Sequence, residues 1–273
     1  MEFWRAILKF LDAKMETPAP YGWFHLLFFA LSIAAAVLLC LTHQKRDEKG
    51  VARIVFGVAV AVTLLEIYKQ INYSFSYSEG IQFDFQWYAF PFQFCSLPMY
   101  IGLLTGIFRK GRVHHALCAF LATYAVFAGA CVMLYPVQVF IPTIGINIQT
   151  MICHGSMITV GVYLLYSGYV KLEHKTILRA LPVFAAGVGC AMLMNEIAYV
   201  TGLLEEHSFN MFYISPHCEP SLPVYSIVQG IVPYPFCLIL YVAAFSLAAY
   251  LVLLAAMGIR RIAKQISLQR RAK

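Results

Sequence analysis

Seven long apolar runs restrict what this 273-residue chain can fold into more than any other feature of its sequence. The runs lie at about 21–42, 52–72, 87–108, 114–134, 148–170, 177–202 and 224–257. Each can cross the hydrocarbon core of a bilayer as an α-helix, which needs about 20 residues. Charged residues make up only 12% of the chain, about half the share of an ordinary soluble domain. The sequence therefore predicts an all-α polytopic membrane protein, a seven-transmembrane-helix bundle.

The basic residues predict how these helices are oriented. Lysine and arginine occur between runs one and two, three and four, and five and six, and again after run seven. The alternate connections, 73–86, 135–147 and 203–223, contain neither residue. Because basic connections stay in the cytoplasm, we expect the N-terminus outside and the C-terminus in the cytoplasm. Arg5, Lys9 and Lys14 lie in the segment predicted to be external and so disagree with this orientation, but the six later connections outweigh them.

Three regions follow from this pattern. Residues 1–20 are predicted to form an interfacial amphipathic segment, because apolar residues recur there at helical spacing before Pro18 and Pro20. Residues 21–257 form the seven-helix transmembrane domain, and residues 258–273 a basic cytoplasmic tail. The net charge of +7 fits basic cytoplasmic connections, so we predict no nucleic-acid partner. The eight scattered cysteines contain no C-x-x-C pair, and we predict no metal and no cofactor.

Polar side chains within the runs concentrate in their outer halves. Each lies within roughly two helical turns of the outer boundary, or about 10 Å. Polar groups in a bilayer usually face a bundle interior or a cavity, so we predict one polar chamber open towards the outer leaflet. Glu66 and Lys69 can instead neutralise each other, and Gln149 and Gln229 can simply join helices by hydrogen bonds. The predicted members of the chamber, besides its two catalytic candidates, are Gln93, Ser96, Glu66, Lys69, Asn195, Glu196 and Asn210.

Three short segments indicate chemistry at this depth. Residues 90–98 carry Cys95 between two prolines, and Pro98 is predicted to kink the helix beside it. In run five, His154 follows Cys153 and precedes Gly155. If the two runs adjoin, His154 can remove the thiol proton of Cys95 and create a nucleophile, although a buried cysteine is often only a packing residue. The proline-rich, aromatic residues 208–216 form either a lid on the chamber or a rigid linker.

These segments resemble the motifs of a known family. The sequence FPFQFCSL at 90–97 resembles the Leu-Pro-Leu-His-Leu-Cys signature of the YwaF-type bacterial integral membrane family, with Gln93 where that family often has His. His154-Gly155 and residues 210–216 and 233–235 resemble later motifs of the same family. It is similar to animal transmembrane protein 164, a membrane acyltransferase that moves fatty acyl groups between phospholipids. The resemblance implies Cys95 as nucleophile, His154 as base, phospholipids or lysophospholipids as partners, and a bacterial cytoplasmic membrane as location.

The leading hypothesis is therefore a membrane-embedded lipid acyltransferase or transacylase. Cys95 would hold the acyl chain as a thioester, while His154 acts first as base and then as acid. Glu196 or Glu66 would orient the imidazole, and the oxyanion would be stabilised by Asn195, Gln93 or Ser96. The alternatives are a lipid hydrolase on the same site, a transporter or ion pathway through the polar cluster, and a receptor. A retinal protein is disfavoured because run seven contains no lysine.

Overall fold

The computed structural model describes residues 2–43, 47–78, 80–137, 139–202, 209–218 and 223–271. These residues are mainly helical, and the two strands that they contain, β1 (Phe75–Ser76) and β2 (Gln82–Phe83), form one short antiparallel hairpin. Short 3-10 turns lie at Trp87–Ala89 and Met211–Tyr213. The helices are α1 (Glu2–Leu11), α2 (Trp23–Thr42), α3 (Glu48–Ser74), α4 (Leu97–Ile107), α5 (Gly111–Ala122), α6 (Tyr124–Leu134), α7 (Ile144–Tyr166), α8 (Lys175–Val200), α9 (Pro223–Gln229) and α10 (Tyr234–Arg271).

Six helical segments of the described chain are long and apolar enough to cross a membrane, namely α2, α3, α5 with α6, α7, α8 and α10. The third predicted run differs, because helix α4 begins only at Leu97 and residues 90–96 are irregular. Pro98 lies in the first turn of α4, where its missing N–H costs no helical hydrogen bond. The predicted kink at Pro98 is therefore wrong, because this proline begins a helix rather than bending one.

The seventh run is also divided. Helix α9 ends at Gln229 and α10 begins at Tyr234, with Pro233 and Pro235 on either side of that start. Prolines are tolerated at this position because the first turn of a helix has no use for their N–H groups. Helix α10 then continues to Arg271, so the described part of the basic tail extends the last helix.

Glycines let several α-helices of the bundle contact each other closely. Gly129 of α6 packs on the backbone of α7, where an added Cβ would lie 2.6 Å from the carbonyl oxygen of His154. Gly102 of α4 faces Ala59 of α3, and Gly155 of α7 faces Ser32 of α2. Small residues at such crossings let membrane helices approach closely. The bundle therefore holds α7 firmly between α2, α3 and α6.

The two ends of the bundle differ in composition. The basic end comprises the connections at 47, 108–110 and 167–174 together with the last turns of α10. The polar end comprises strands β1 and β2, residues 139–143 and residues 209–218. The N-terminal segment docks at the polar end, where Ile144 N–H donates to the Ala13 carbonyl at 3.0 Å. The hydroxyl of Tyr68 donates to the Leu11 carbonyl at 2.7 Å. The basic residues of this segment thus lie at the end opposite the other basic connections.

Candidate functional site

Cys95 lies where the irregular segment 90–96 turns into helix α4. Ser96 is the N-cap residue of that helix, and its backbone N–H donates to the Gln93 carbonyl at 2.9 Å. The Ser96 side chain is hydrogen-bonded to the half-buried Cys95 thiol. The N-terminus of a helix carries partial positive charge and favours a thiolate. The local fold therefore places this cysteine directly before a helix start.

A buried ion pair lies close to Cys95. The Lys69 ammonium is 2.7 Å from Oε1 of Glu66, whose side chain is only 8% exposed. Gln70 donates to the same carboxylate at 2.8 Å, and Gln149 of α7 donates to its other oxygen at 3.0 Å. Two charges in a bilayer interior persist when they are paired and hydrogen-bonded in this way. Glu66 and Lys69 thus neutralise each other and join α3 to α7.

His154 is oriented by its own helix. Its Nδ1 is 2.7 Å from the Thr150 carbonyl oxygen. A carbonyl only accepts hydrogen bonds, so Nδ1 carries the proton and Nε2 keeps a basic lone pair. No hydrogen bond joins His154 to Cys95 in the described structure, but the charge of Lys69 acts on both side chains. The structure therefore brings the two candidates to one ion pair without direct contact.

Residues 209–215 form a buried segment, which we call the plug. Gln93 holds it from one side, donating to the Asn210 carbonyl at 2.9 Å and accepting from the Phe212 N–H at 2.8 Å. Asn195 holds it from the other side through both backbone polar groups of Met211. Asn210 closes the plug internally by accepting from the Ser215 N–H at 2.9 Å. Six of its seven residues are buried, all except Tyr213, so the segment predicted as either a lid or a rigid linker packs as part of the core.

These hydrogen bonds show that two side chains predicted to belong to the site hold the plug in place. The side-chain amides of Gln93 and Asn195 are both occupied by the plug backbone. Ser96 is the one predicted oxyanion donor of the three that is hydrogen-bonded to the Cys95 thiol. The sequence does not reveal this difference between the amides and Ser96, because it does not show whether an amide side chain binds backbone or substrate.

The plug also brings a residue that was not predicted. Phe212 and Tyr213 both have φ of 57°, a left-handed conformation that non-glycine residues adopt only when their surroundings hold them there. The bonds from Gln93 and Asn195 restrain the backbone up to the Phe212 N–H, and the Tyr241 hydroxyl donates to the Phe212 carbonyl at 3.2 Å. Tyr213 is 42% exposed, and its phenol interacts electrostatically with the Cys95 thiol. The only sequence signal was its place in the aromatic segment after Asn210.

Glu196 does not join this group. Its exposed carboxylate accepts from Nε2 of His217 at 3.0 Å, and the His217 ring stacks on Tyr199 with centroids 3.6 Å apart. Successive residues on a helix point about 100° apart, so Glu196 faces away when Asn195 faces the core. Glu196 is therefore not placed to orient the His154 imidazole. Glu66 accepts from Lys69, Gln70 and Gln149 instead.

Space near the site is small in this conformation. A cavity of about 30 Å³ lies between α3, α4 and α7, bordered by Pro98, Met99, Cys153 and Ser156. That is close to the volume of a single water molecule. Among the described residues, the polar side chains Glu66, Lys69, Gln93 and Asn195 bond to one another, to neighbouring side chains and to the plug.

The apolar helices and the polar cluster within them define an integral membrane protein of the polytopic helical class. A family model described as the TMEM164 family matches residues 20–255, nearly the whole bundle. The chain belongs to the TMEM164 family, which confirms the resemblance seen in its motifs. No curated protein and no solved structure matches the chain.

Proposed function

We propose that this chain is a membrane-embedded lipid acyltransferase or transacylase that uses Cys95 as its nucleophile. The observation that carries the proposal is the position of Cys95 before the first turn of α4 and within the field of the Lys69 ammonium. A thiolate is the reactive form of cysteine, and the positive end of a helix favours it, while the Glu66 carboxylate offsets the charge of Lys69. Ser96 is next to the same thiol, and the Tyr213 phenol interacts with it electrostatically. The site thus combines a nucleophile with a helix start and a neighbouring ion pair.

The proposed reaction has two steps. The Cys95 thiol passes its proton to Nε2 of His154, and the thiolate attacks the ester carbonyl carbon of a phospholipid. The ester C–O bond breaks, the lysolipid oxygen takes the proton from His154, and the acyl chain remains as a thioester. The hydroxyl of a second lysolipid then gives its proton to His154 and attacks the thioester, which releases Cys95. Since His154 does not touch Cys95 in this conformation, the first transfer requires the imidazole to move towards the thiol.

We also propose seven membrane crossings, an external N-terminus and a bacterial cytoplasmic membrane as location. The third crossing would consist of the irregular residues 90–96 followed by α4, which returns the chain from the polar end to the basic end. Basic connections at one end support a cytoplasmic placement of that end. A reporter protein that is active only in the cytoplasm, fused after residue 273, tests this orientation. Activity is expected, and its absence from an expressed fusion would contradict the proposal.

A lipid exchange assay tests the enzymatic proposal. Purified protein in liposomes receives a diacyl phospholipid and a fluorescent lysophospholipid, and labelled diacyl lipid is measured. We expect product from the wild type and loss of at least about 100-fold in Cys95→Ala and His154→Ala. Cys118→Ala is the matched control, because Cys118 lies 3.6 Å from His114 in α5 and forms a second Cys–His pair. Equal activity in Cys95→Ala would refute the nucleophile assignment.

The same assay separates the two related activities. Free fatty acid without labelled diacyl lipid would indicate a lipid hydrolase that transfers the acyl group to water. The ion-pathway alternative requires a free carrier among the charged residues, whereas Glu66 and Lys69 are bonded to each other. Proton flux into liposomes that is lost in Glu66→Gln but kept in Cys95→Ala would favour that alternative.

A further inference from the structure

A second cavity opens at the basic end of the bundle. Its volume is about 500 Å³, which lies within the usual range of ligand pockets. Arg112, His115, Lys171 and Arg179 form its rim, and Ala119 and Val170 form an apolar floor. Helix α4 spans 11 residues between Cys95 and this end, or roughly 16 Å at 1.5 Å per residue. The cavity is thus separate from the proposed acyl-transfer site.

Two helices begin at this cavity. Helix α5 starts at Gly111 and α8 starts at Lys175, and the two pack against each other from the same end. Neither helix has a side-chain hydrogen bond from its N-cap residue. The partial positive charge of a helix start favours anions. Two such starts therefore add to the positive charge of the rim.

The rim charges are only partly balanced. His115 is 3.0 Å from the Glu48 carboxylate, and Arg179 is 2.8 Å from that of Glu173. Arg112 and Lys171 have no carboxylate partner among the described residues. The cavity thus offers two unpaired cations, one of them an arginine, whose planar fork matches phosphate oxygens.

Tyr169 also lines this cavity. Its ring stacks on that of His115, with centroids 5.5 Å apart. Its hydroxyl is buried and has no hydrogen-bond partner among the residues that the structure describes.

We propose that this cavity binds a phosphate group carried by an amphipathic or organic molecule, either a phospholipid headgroup or a soluble phosphate ester. The rim residues and the two helix starts hold the phosphate, while the apolar floor contacts the attached carbon groups. Both ligand sources share this chemistry, and an experiment with one probe for each distinguishes them.

The test measures binding to the full-length protein in a neutral detergent. Dioctanoyl phosphatidate represents the lipid source and inorganic pyrophosphate the soluble one, with dioctanoyl phosphatidylcholine as a zwitterionic comparison. The double variant Arg112→Gln/Lys171→Gln removes the two unpaired cations without breaking an ion pair. Arg109→Gln is the matched control, since Arg109 is exposed nearby, donates to the Gly106 carbonyl and does not line the cavity.

We expect saturable binding that the double variant weakens at least tenfold and that Arg109→Gln changes less than twofold. Binding of phosphatidate alone identifies a lipid headgroup site, and binding of pyrophosphate identifies a site for soluble phosphate esters as well or instead. No saturable binding of either probe, or equal affinity in the double variant, would overturn the proposal. Thermal unfolding of each variant verifies that it is folded. Binding needs no acyl transfer, so this test and the lipid exchange assay can fail independently.

Discussion

Asn195 pairs with both backbone polar groups of Met211. Its amide nitrogen donates to the Met211 carbonyl at 3.1 Å, and its side-chain oxygen accepts from the Met211 N–H at 2.7 Å. Through these two bonds helix α8 fixes the plug next to the strained residues Phe212 and Tyr213. An apolar bundle thereby holds an irregular backbone segment beside Cys95, which is allowed in a membrane only where protein satisfies the backbone groups.

Asn195→Ala leaves two buried backbone groups of Met211 without partners. Each unsatisfied group costs about 1–3 kcal/mol, so we expect the free energy of unfolding to fall by about 2–6 kcal/mol. Thermal unfolding in detergent measures the change as a lower midpoint. Glu196→Gln is the control, because this neighbouring side chain is exposed and keeps an acceptor for His217. An Asn195→Ala protein as stable as the wild type would show that the plug does not need this clamp.

The buried pair of Glu66 and Lys69 predicts a non-additive result. Glu66→Gln alone leaves the Lys69 ammonium uncompensated, which costs about 3–5 kcal/mol for a buried pair. Lys69→Met alone leaves the carboxylate in the same position. The double variant removes both charges and is expected to recover most of the lost stability. Chemical denaturation of all four proteins gives the coupling, and additive effects would contradict the pairing.

Much of this arrangement could be predicted from the sequence, because hydropathy and depth determine it. Glu66, Lys69 and Gln149 were placed at one depth by run boundaries alone, and the structure joins them by hydrogen bonds. Glu196 shares the depth of Asn195, yet it faces outward. Depth follows from residue count along a run, whereas the direction of a side chain depends on how the helix is rotated against its neighbours. A single sequence carries little information about that rotation.

Gly129 makes a prediction about the packing of α7. A methyl group at this position would lie 2.6 Å from the His154 carbonyl oxygen and 3.0 Å from the Met157 Cβ. We expect Gly129→Ala to force the two helices apart, to cost about 1–3 kcal/mol of stability, and to reduce lipid exchange by displacing His154. Gly189→Ala in α8 is the matched control, because nothing lies within 4 Å of an added Cβ there. Equal behaviour of the two variants would contradict the described α6–α7 contact.

Asp12 predicts a pH dependence at the N-terminal segment. Burial acts to raise the pKa of Asp12, but hydrogen bonds from Lys14 and Tyr77 and the charge of Lys14 outweigh it and hold this pKa below its ordinary value. A carboxyl group with a lowered folded-state pKa stabilises the protein above its unfolded-state pKa. That stabilisation is lost as pH falls through the folded-state pKa.

The unfolding midpoints of the wild type and Asp12→Asn measure this effect. We expect the wild type to be the more stable protein at pH 7, and the difference to shrink as pH falls from about 5 towards 3. Glu16→Gln serves as the control, because Glu16 is exposed and has no ion-pair partner in the described part of the chain. A constant difference between wild type and Asp12→Asn across this range would contradict the assignment.

The irregular segments explain what the sequence alone did not reveal. Residues 90–96 lie within the third apolar run and residues 209–215 within a connection, so hydropathy predicts neither as a buried irregular segment. Their shape depends on side-chain amides from distant positions, Gln93 and Asn195, which pair with plug backbone 117 and 16 residues away. Such long-range bonds leave no periodic pattern. Pro91 and Pro98 indicate that the helical pattern is disturbed here, but they do not reveal that residues 90–96 are irregular.

The most direct test of the account is to trap the acyl group on the enzyme. The protein is incubated in liposomes with a diacyl phospholipid and no lysolipid acceptor, quenched at low pH, digested and examined by mass spectrometry. The account predicts one acyl chain on the peptide that contains Cys95, released by neutral hydroxylamine as a thioester should be, and absent from Cys95→Ala. An acyl chain on another cysteine, or lipid exchange at the wild-type rate in Cys95→Ala, would contradict the central claim.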